Sequence, residues 1–439
     1  MWSSGNKSMC SSFLVMLFMA LLTYSCDGKT DTQLCSEESD TNDESTFICS
    51  CHSINEIIII QDNKITYGNI QITVPNTTKH WRIGECSAVH LSGPTLTSLK
   101  NIHTLQLHHI DQIHIAYDFL LQYKTQLQVL QVSHSKFAAL EGSLNIHAHK
   151  IKNIVLDNLI WKGQFNLVIL TQDDQNLDLI AIKNSTIEVL GEINVSSKYV
   201  HTFVLENNNI STILTGAIFH KSNETNILGN YIDQLNFLSL DTDTRIFTLE
   251  GNTIKFLSLE TLVVNNAILI QVINNSFFHI DRYALTWLRL KSEKGLMVFS
   301  SNHFHKHVKG SLIFNLATYN EKLVIKNNIL HTTFCNCSSA KLIETMTEAN
   351  EDVIPSFKLE NDKTNKLFTD SSFCLDEERK LSKISRLCAN NESYWSWGLP
   401  VIVIVITLTC GLLVKIVLKQ YTYKLKYERL QRDTERDIF

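Results

Sequence analysis

Phe203–Ile210 reads FVLENNNI, Phe247–Ile254 reads FTLEGNTI, Ile270–Phe277 reads IQVINNSF, Met297–Phe304 reads MVFSSNHF and Leu323–Leu330 reads LVIKNNIL. All five follow one phrase: apolar, any, apolar, two of any kind, Asn, any, apolar. The slot held by Asn extends upstream with other residues. It falls at Ile110, Ser135, Leu159, Ser185, Asn208, Asn230, Asn252, Asn275, Asn302 and Asn328, at spacings of 22 to 27 residues. A repeat of this length marks a solenoid, in which no coil buries its apolar face alone. About ten coils stacking as a parallel-β solenoid are expected.

The residues three and five before each slot are apolar, from Leu105 and Leu107 to Leu323 and Ile325; Thr225, beside Ile227, is the one break. Alternation at period two predicts a strand with one buried face. The Asn has a physical purpose. The chain turns after each strand and leaves backbone donors and acceptors inside the coil. An amide carries both a donor and an acceptor, so it can satisfy its own coil and its neighbour. Asn208, Asn230, Asn252, Asn275, Asn302 and Asn328 are therefore expected to form a structural turn ladder. The outward residue at mid-strand is Gln106, Gln131, Val155, Ala181, Val204, Asn226, Thr248, Gln271, Val298 and Val324. This neutral, partly apolar column is the candidate ligand surface.

The pattern resembles the extracellular leucine-rich-repeat family, whose repeat is Leu-x-x-Leu-x-Leu-x-x-Asn-x-Leu. Leu127, Leu130, Val132, Ser135 and Phe137 match it well. The resemblance implies cysteine-rich caps at both ends, with Cys35, Cys49, Cys51 and Cys86 in one and Cys335, Cys337, Cys374 and Cys388 in the other. The first apolar position is lost at Ser222, Thr244, Lys294 and Asn320, and Leu312–Leu316 (LIFNL) makes a connecting segment apolar. Those departures suit a right-handed parallel β-helix, which remains the alternative.

Two apolar runs set the expected topology. Phe13–Leu22 is too short to span a bilayer and reads as a secretory signal. Leu399–Leu418 is long enough to cross; Trp395 and Trp397 lie before it, and Lys415, Lys419, Lys424 and Lys426 in and after its end. A single-pass plasma-membrane protein with its N-terminal part outside is expected. Eight cysteines in two groups of four fit an oxidising compartment. So do the glycosylation sequons at Asn76, Asn184, Asn194, Asn209, Asn223, Asn274, Asn336 and Asn391. The expected division is a signal peptide (1–28), an acidic flexible leader (29–46), an N-terminal cap (47–100), the repeat solenoid (101–333), a C-terminal cap (334–389), a stalk (390–398), a transmembrane helix (399–418) and a cytoplasmic tail (419–439). Glu56–Ile60 and Ile70–Val74 read as the first strands, and Glu344–Thr369 as a polar insertion or mobile loop.

With a net charge of -5 and no basic tract, the chain offers nothing for nucleic acid. Phosphate-loop, His-Glu-x-x-His and Gly-x-Ser-x-Gly signatures are absent. Asp157, Glu206 and Glu250 are spread over coils and mixed with Lys183 and Lys326, as on a charged surface. His303, His305 and His307 alternate, but read as turn histidines, as do His108, His109, His147 and His149. No enzyme activity, catalytic residue, metal or cofactor is expected. The expected role is recognition of an extracellular protein or glycan, in adhesion or as a receptor or co-receptor. The alternatives are a membrane-tethered β-helix that binds or cleaves polysaccharide, and innate immune recognition of microbial material. In the tail, Tyr427 and Leu430 (YERL) resemble the Tyr-x-x-apolar signal read by clathrin adaptors, and Asp437–Phe439 resembles a PDZ-domain ligand.

Overall fold

The computed structural model describes residues 34–39, 45–51, 57–95, 99, 101–116, 120–123, 127–138, 142–148, 150–171, 176–197, 199–291, 295–314, 323–348, 358–387 and 389–436. The chain is a parallel β-solenoid of about nine turns with disulfides and one apolar helix near the C-terminus. It forms two compact units, Met1–Phe247 and Thr248–Phe439.

In the first unit the strands align in three parallel sheets. The alternating strands of the repeat make the first sheet: Ser45–Ser50, His80–Cys86, Thr104–Ile110, Val129–Phe137, Asn153–Leu170, Asn176–Lys183, Tyr199–Glu206 and Ile218–Leu228, each beside the next. The residues just after the Asn slot make the second. There Phe137, Trp161, Ile187, Ile210 and Ile232 lie in register. The third joins Leu120–Tyr123, Gly142–Ala148, Phe165–Leu170, Ile193–Val195 and Ile218. Coils therefore bury apolar side chains from three sides. Trp81, Ile154, Ile180, Phe203, Phe165 and Leu190 are at most 1% exposed. Burying such a side chain contributes roughly 1.5–3 kcal/mol.

The second unit repeats the plan. Leu269–Ile273, Leu296–Ser300 and Leu323–Lys326 pair in one sheet, and Ile254, Phe277, Phe304, Leu330 and Cys374 are in register in another. Leu262–Ala267 and Leu288–Leu290 pair in a third position.

Between the first two sheets of each unit the backbone turns through one left-handed residue. His109, His134, Asn158, Asn184, Asn207, Asn274, Ser301 and Asn327 all have φ between 49° and 57°, and each directly precedes a ladder slot. Gly229 and Gly251 take the same place with φ of 61° and 67°. Gly and Asn tolerate this conformation best. The slot that follows is buried and carries the ladder. Asn230 Oδ1 accepts from the Asn208 backbone N–H at 2.9 Å, and Asn230 Nδ2 donates to the Leu205 carbonyl at 2.7 Å. Within the second unit Asn275, Asn302 and Asn328 repeat both bonds, each to the coil before it, at 2.8 to 3.0 Å. Their amides also bond one another: Asn275 Nδ2 donates to Asn302 Oδ1 at 3.0 Å, and Asn302 Nδ2 to Asn328 Oδ1 at 3.1 Å. Where the slot is Ser, only half of this survives. Ser135 and Ser185 hydroxyls accept from the backbone N–H groups of Ile110 and Leu159.

The ends depart from expectation in two places. Cys35–Ser39, inside the expected leader, is a strand antiparallel to Ser45–Ser50, held there by Cys35–Cys49. Cys51–Cys86 is the second bond of this cap. At the other end, much of the expected insertion is helical: α1 (Ser338–Thr347) and α2 (Lys358–Ser371). The reason is apolar. Ile343, Met346 and Phe368 are fully buried, and the Phe368 ring meets Phe299 and Phe314 at 5.7 and 6.1 Å. The helices thus close the exposed end of the core. Cys335 pairs with Cys374 and Cys337 is also disulfide-bonded; Cys388 lies outside the described residues. The short α3 (Ile384–Leu387) precedes α4 (Ala389–Arg436), so the expected stalk has helical backbone. The apolar window of α4, Val401–Lys426, is fully exposed and long enough to cross a membrane. The expected signal peptide lies outside the described residues.

Replacing Asn275 by Ala leaves the Asn252 N–H and the Leu249 carbonyl buried and unpaired, at about 1–3 kcal/mol each. Denaturant unfolding of the detergent-solubilised chain is expected to show a loss of about 2–6 kcal/mol for N275A, while N209Q, on the exposed side of its turn, changes stability by less than about 0.5 kcal/mol.

Candidate functional site

The outward mid-strand residues form one row in each unit. Arg82, Gln106, Gln131, Val155, Ala181, Val204 and Asn226 are consecutive cross-strand neighbours. Gln271, Val298 and Val324 are likewise aligned. The row begins with a chain of amides: Arg82 Nε donates to Gln106 Oε1 at 3.0 Å, and Gln106 Nε2 to Gln131 Oε1 at 3.2 Å. Beyond it the surface turns aliphatic. Val129, Val155 and Leu179 are half-buried, whereas Ala181 and Val204 are 0% and 8% exposed and Thr248 is 9% exposed. These three point away from the core but offer little accessible surface. Period-two alternation assigns a face; it does not say how far side chains on neighbouring strands cover a small residue. In the second unit the same face presents Leu269, Leu296, Val298, Val324 and Ile273, with Leu296 at 37% exposure.

The acidic residues are tied locally. Asp157 Oδ1 accepts from Asn184 Nδ2 at 2.8 Å, and Glu206 pairs with Lys183 at 2.8 Å. Among the sequons, Asn76, Asn184, Asn194, Asn209, Asn274 and Asn336 are exposed, and Asn223 is half-buried with its Oδ1 accepting from Arg245. Asn184 and Asn274 occupy the left-handed turn position, and Asn209 starts the strand after it. The Asn391, Tyr427 and Leu430 side chains and residues 437–439 lie outside the described residues, though Tyr427 and Leu430 are on the α4 backbone.

The histidines are less ordinary than the sequence suggested. His109 and His134 stack at 4.7 Å on adjacent turns, and His108 lies over Gly84, where a Cβ would stand 2.2 Å from its ring. Burial, then Arg82, lowers the His108 pKa, and burial lowers that of His147; His149 lies outside the described residues. In the second unit Phe278 and His305 stack at 4.2 Å, and His305 stacks on His331 at 4.1 Å. His331 comes from the next coil, which the spacing of His303, His305 and His307 alone did not reveal. Among the described residues, no group of three or more His, Cys, Asp or Glu side chains is arranged to hold a metal ion.

The break at Thr225 proves to be a buried polar cluster. His220 Nε2 meets Thr225 Oγ1 at 3.1 Å, Ser222 Oγ meets Thr225 Oγ1 at 2.8 Å, and Ser222 Oγ donates to Thr244 Oγ1 at 3.0 Å. The His220 ring packs on Phe203 at 4.5 Å. Burial alone pushes its pKa down to about 3. Neither models of known families nor comparison with curated proteins gives a match to the chain.

The buried imidazole makes folding sensitive to acid. Above the ordinary value of 6.5, His220 is neutral whether folded or unfolded and contributes no pH dependence. Below it the unfolded chain takes up a proton that the folded chain refuses, so stability falls with falling pH until about pH 3. Unfolding free energies measured from pH 7 to pH 4 are expected to lose up to about 1.4 kcal/mol per pH unit from this group. The variant H220Q is expected to flatten that slope.

Proposed function

We propose that this is a membrane-tethered binding protein whose solenoid lies outside the cell and recognises a macromolecular partner, in adhesion or as a receptor or co-receptor. The observation that carries the reading is the outward face of the repeat strands, where Leu296, Val298 and Val324 stand on the solvent side of a regular sheet. Apolar side chains gathered on a solvated face mark an interaction surface. The amides of Gln106 and Gln131 supply hydrogen-bonding groups on the corresponding face of the first unit. The reading is supported by the disulfides, which belong to an oxidising compartment, and by the exposed apolar helix. Lys419, Lys424 and Lys426 at its C-terminal end favour the cytoplasm there.

Strands on three sides of the coil favour the β-helix form of the solenoid over a leucine-rich repeat, which the Asn-centred phrase resembles. That form also suits polysaccharide binding, but cleavage is disfavoured because Asp157 and Glu206 are engaged by Asn184 and Lys183 rather than directed at a shared point. In this reading Asn184, Asn209 and Asn274 carry glycans along the turn edge and leave the strand face clear. Tyr427 and Leu430 would serve internalisation.

The test is to express the full chain on cells and measure binding of a panel of extracellular proteins and glycans by flow cytometry. A ligand found this way is expected to lose about tenfold or more in affinity with L296R/V298R, consistent with removal of an interface anchor. Undiminished binding by that variant and by Q106E/Q131E at normal surface abundance would remove the strand face as the site.

A further inference from the structure

Three successive coils of the second unit bring imidazoles together that lie far apart in the chain. Ser276, His303 and Ile329 are cross-strand neighbours, as are Phe277, Phe304 and Leu330. His303 therefore lies diagonally across from His331, and their nitrogens face each other: His303 Nδ1 stands 3.0 Å from His331 Nε2, with ring centroids 5.2 Å apart. His305 stacks against the His331 ring, and Ser276 Oγ meets His305 Nε2 at 3.0 Å. The stack ends on Phe278.

We propose that His303 and His331 bind a borderline transition-metal dication of the Zn2+ or Cu2+ class, through Nδ1 of the first and Nε2 of the second. Two imidazole nitrogens at about 2.0–2.1 Å from one ion, in adjacent coordination positions, stand roughly 2.9–3.4 Å apart. The observed 3.0 Å lies inside that interval. Imidazole is a favoured donor for these ions, and hard cations such as Mg2+ and Ca2+ prefer oxygen. Without an ion the His303–His331 contact is a hydrogen bond in which one ring donates to the other; an ion displaces it when each neutral imidazole carries its proton on its other nitrogen, His303 on Nε2 and His331 on Nδ1. His305 acts on orientation, since its stacking fixes the His331 ring plane and Ser276 fixes its own. Two protein ligands leave coordination positions for water or for a carboxylate or imidazole of a bound partner.

The experiment is isothermal titration of the full chain in nanodiscs with Zn2+ and Cu2+, with Mg2+ as control, at pH 7. The native chain is expected to bind one equivalent more tightly than the rest of its histidines. That equivalent should weaken at least tenfold in H303Q and in H331Q, and remain in H109Q. Cu2+ spectra should show nitrogen ligation in the native chain and lose part of it in each of the two variants. Circular dichroism confirms that the variants fold; if one does not, the other decides, and if neither does, the Cu2+ spectrum of the native chain must still show two imidazole nitrogens on the tight equivalent. Absence of a tight equivalent, or its persistence in folded H303Q or H331Q, would overturn the proposal.

Discussion

Everything regular in this protein depends on how one buried turn satisfies its backbone. A coil that bends between two sheets directs peptide groups into a core where water cannot reach them. Asn208, Asn230, Asn275, Asn302 and Asn328 answer with both ends of the amide, accepting from the preceding coil's slot N–H and donating to a carbonyl three residues earlier in that coil. A buried amide with no partner would cost about 1–3 kcal/mol, so the bonds couple stacking to turn conformation. The left-handed residue before each slot belongs to the same constraint, because it aims the Asn inward while leaving its own side chain outside. With that settled, apolar residues on either side of the turn fall into register and the core follows.

Much of this was legible because period and chemistry agree. The slot, the inward rows and the cysteine groups could be read from residues alone, since each involves a fixed offset repeated many times. The third sheet was harder: its strands, such as Gly142–Ala148 and Phe165–Leu170, have no common phrase and vary in distance from the slot. Helices α1 and α2 were hidden by their composition. Apart from Leu367 their exposed faces are polar, and the buried Ile343, Met346 and Phe368 show that they cover a core end.

The surface was read less well than the interior, for a physical reason. Alternation tells which way a side chain points, but exposure depends on its neighbours one coil away. Ala181 and Val204 are covered, whereas Leu296 is open. The pairing of His303 with His331 depends on the same relation, since 28 residues of chain return the strand to its neighbour. Thr225 was visible as an exception, but its cause, His220 five residues before it, requires knowing that both enter the core.

The ladder can be observed without altering it. Native-state hydrogen exchange at the slot amides Asn208, Asn252, Asn275 and Asn302 reports whether these turn N–H groups are held by the next coil's Asn. The account predicts protection equal to that of core strand amides such as Phe203 and Val272. Exchange at those four positions as fast as at exposed turns would contradict it.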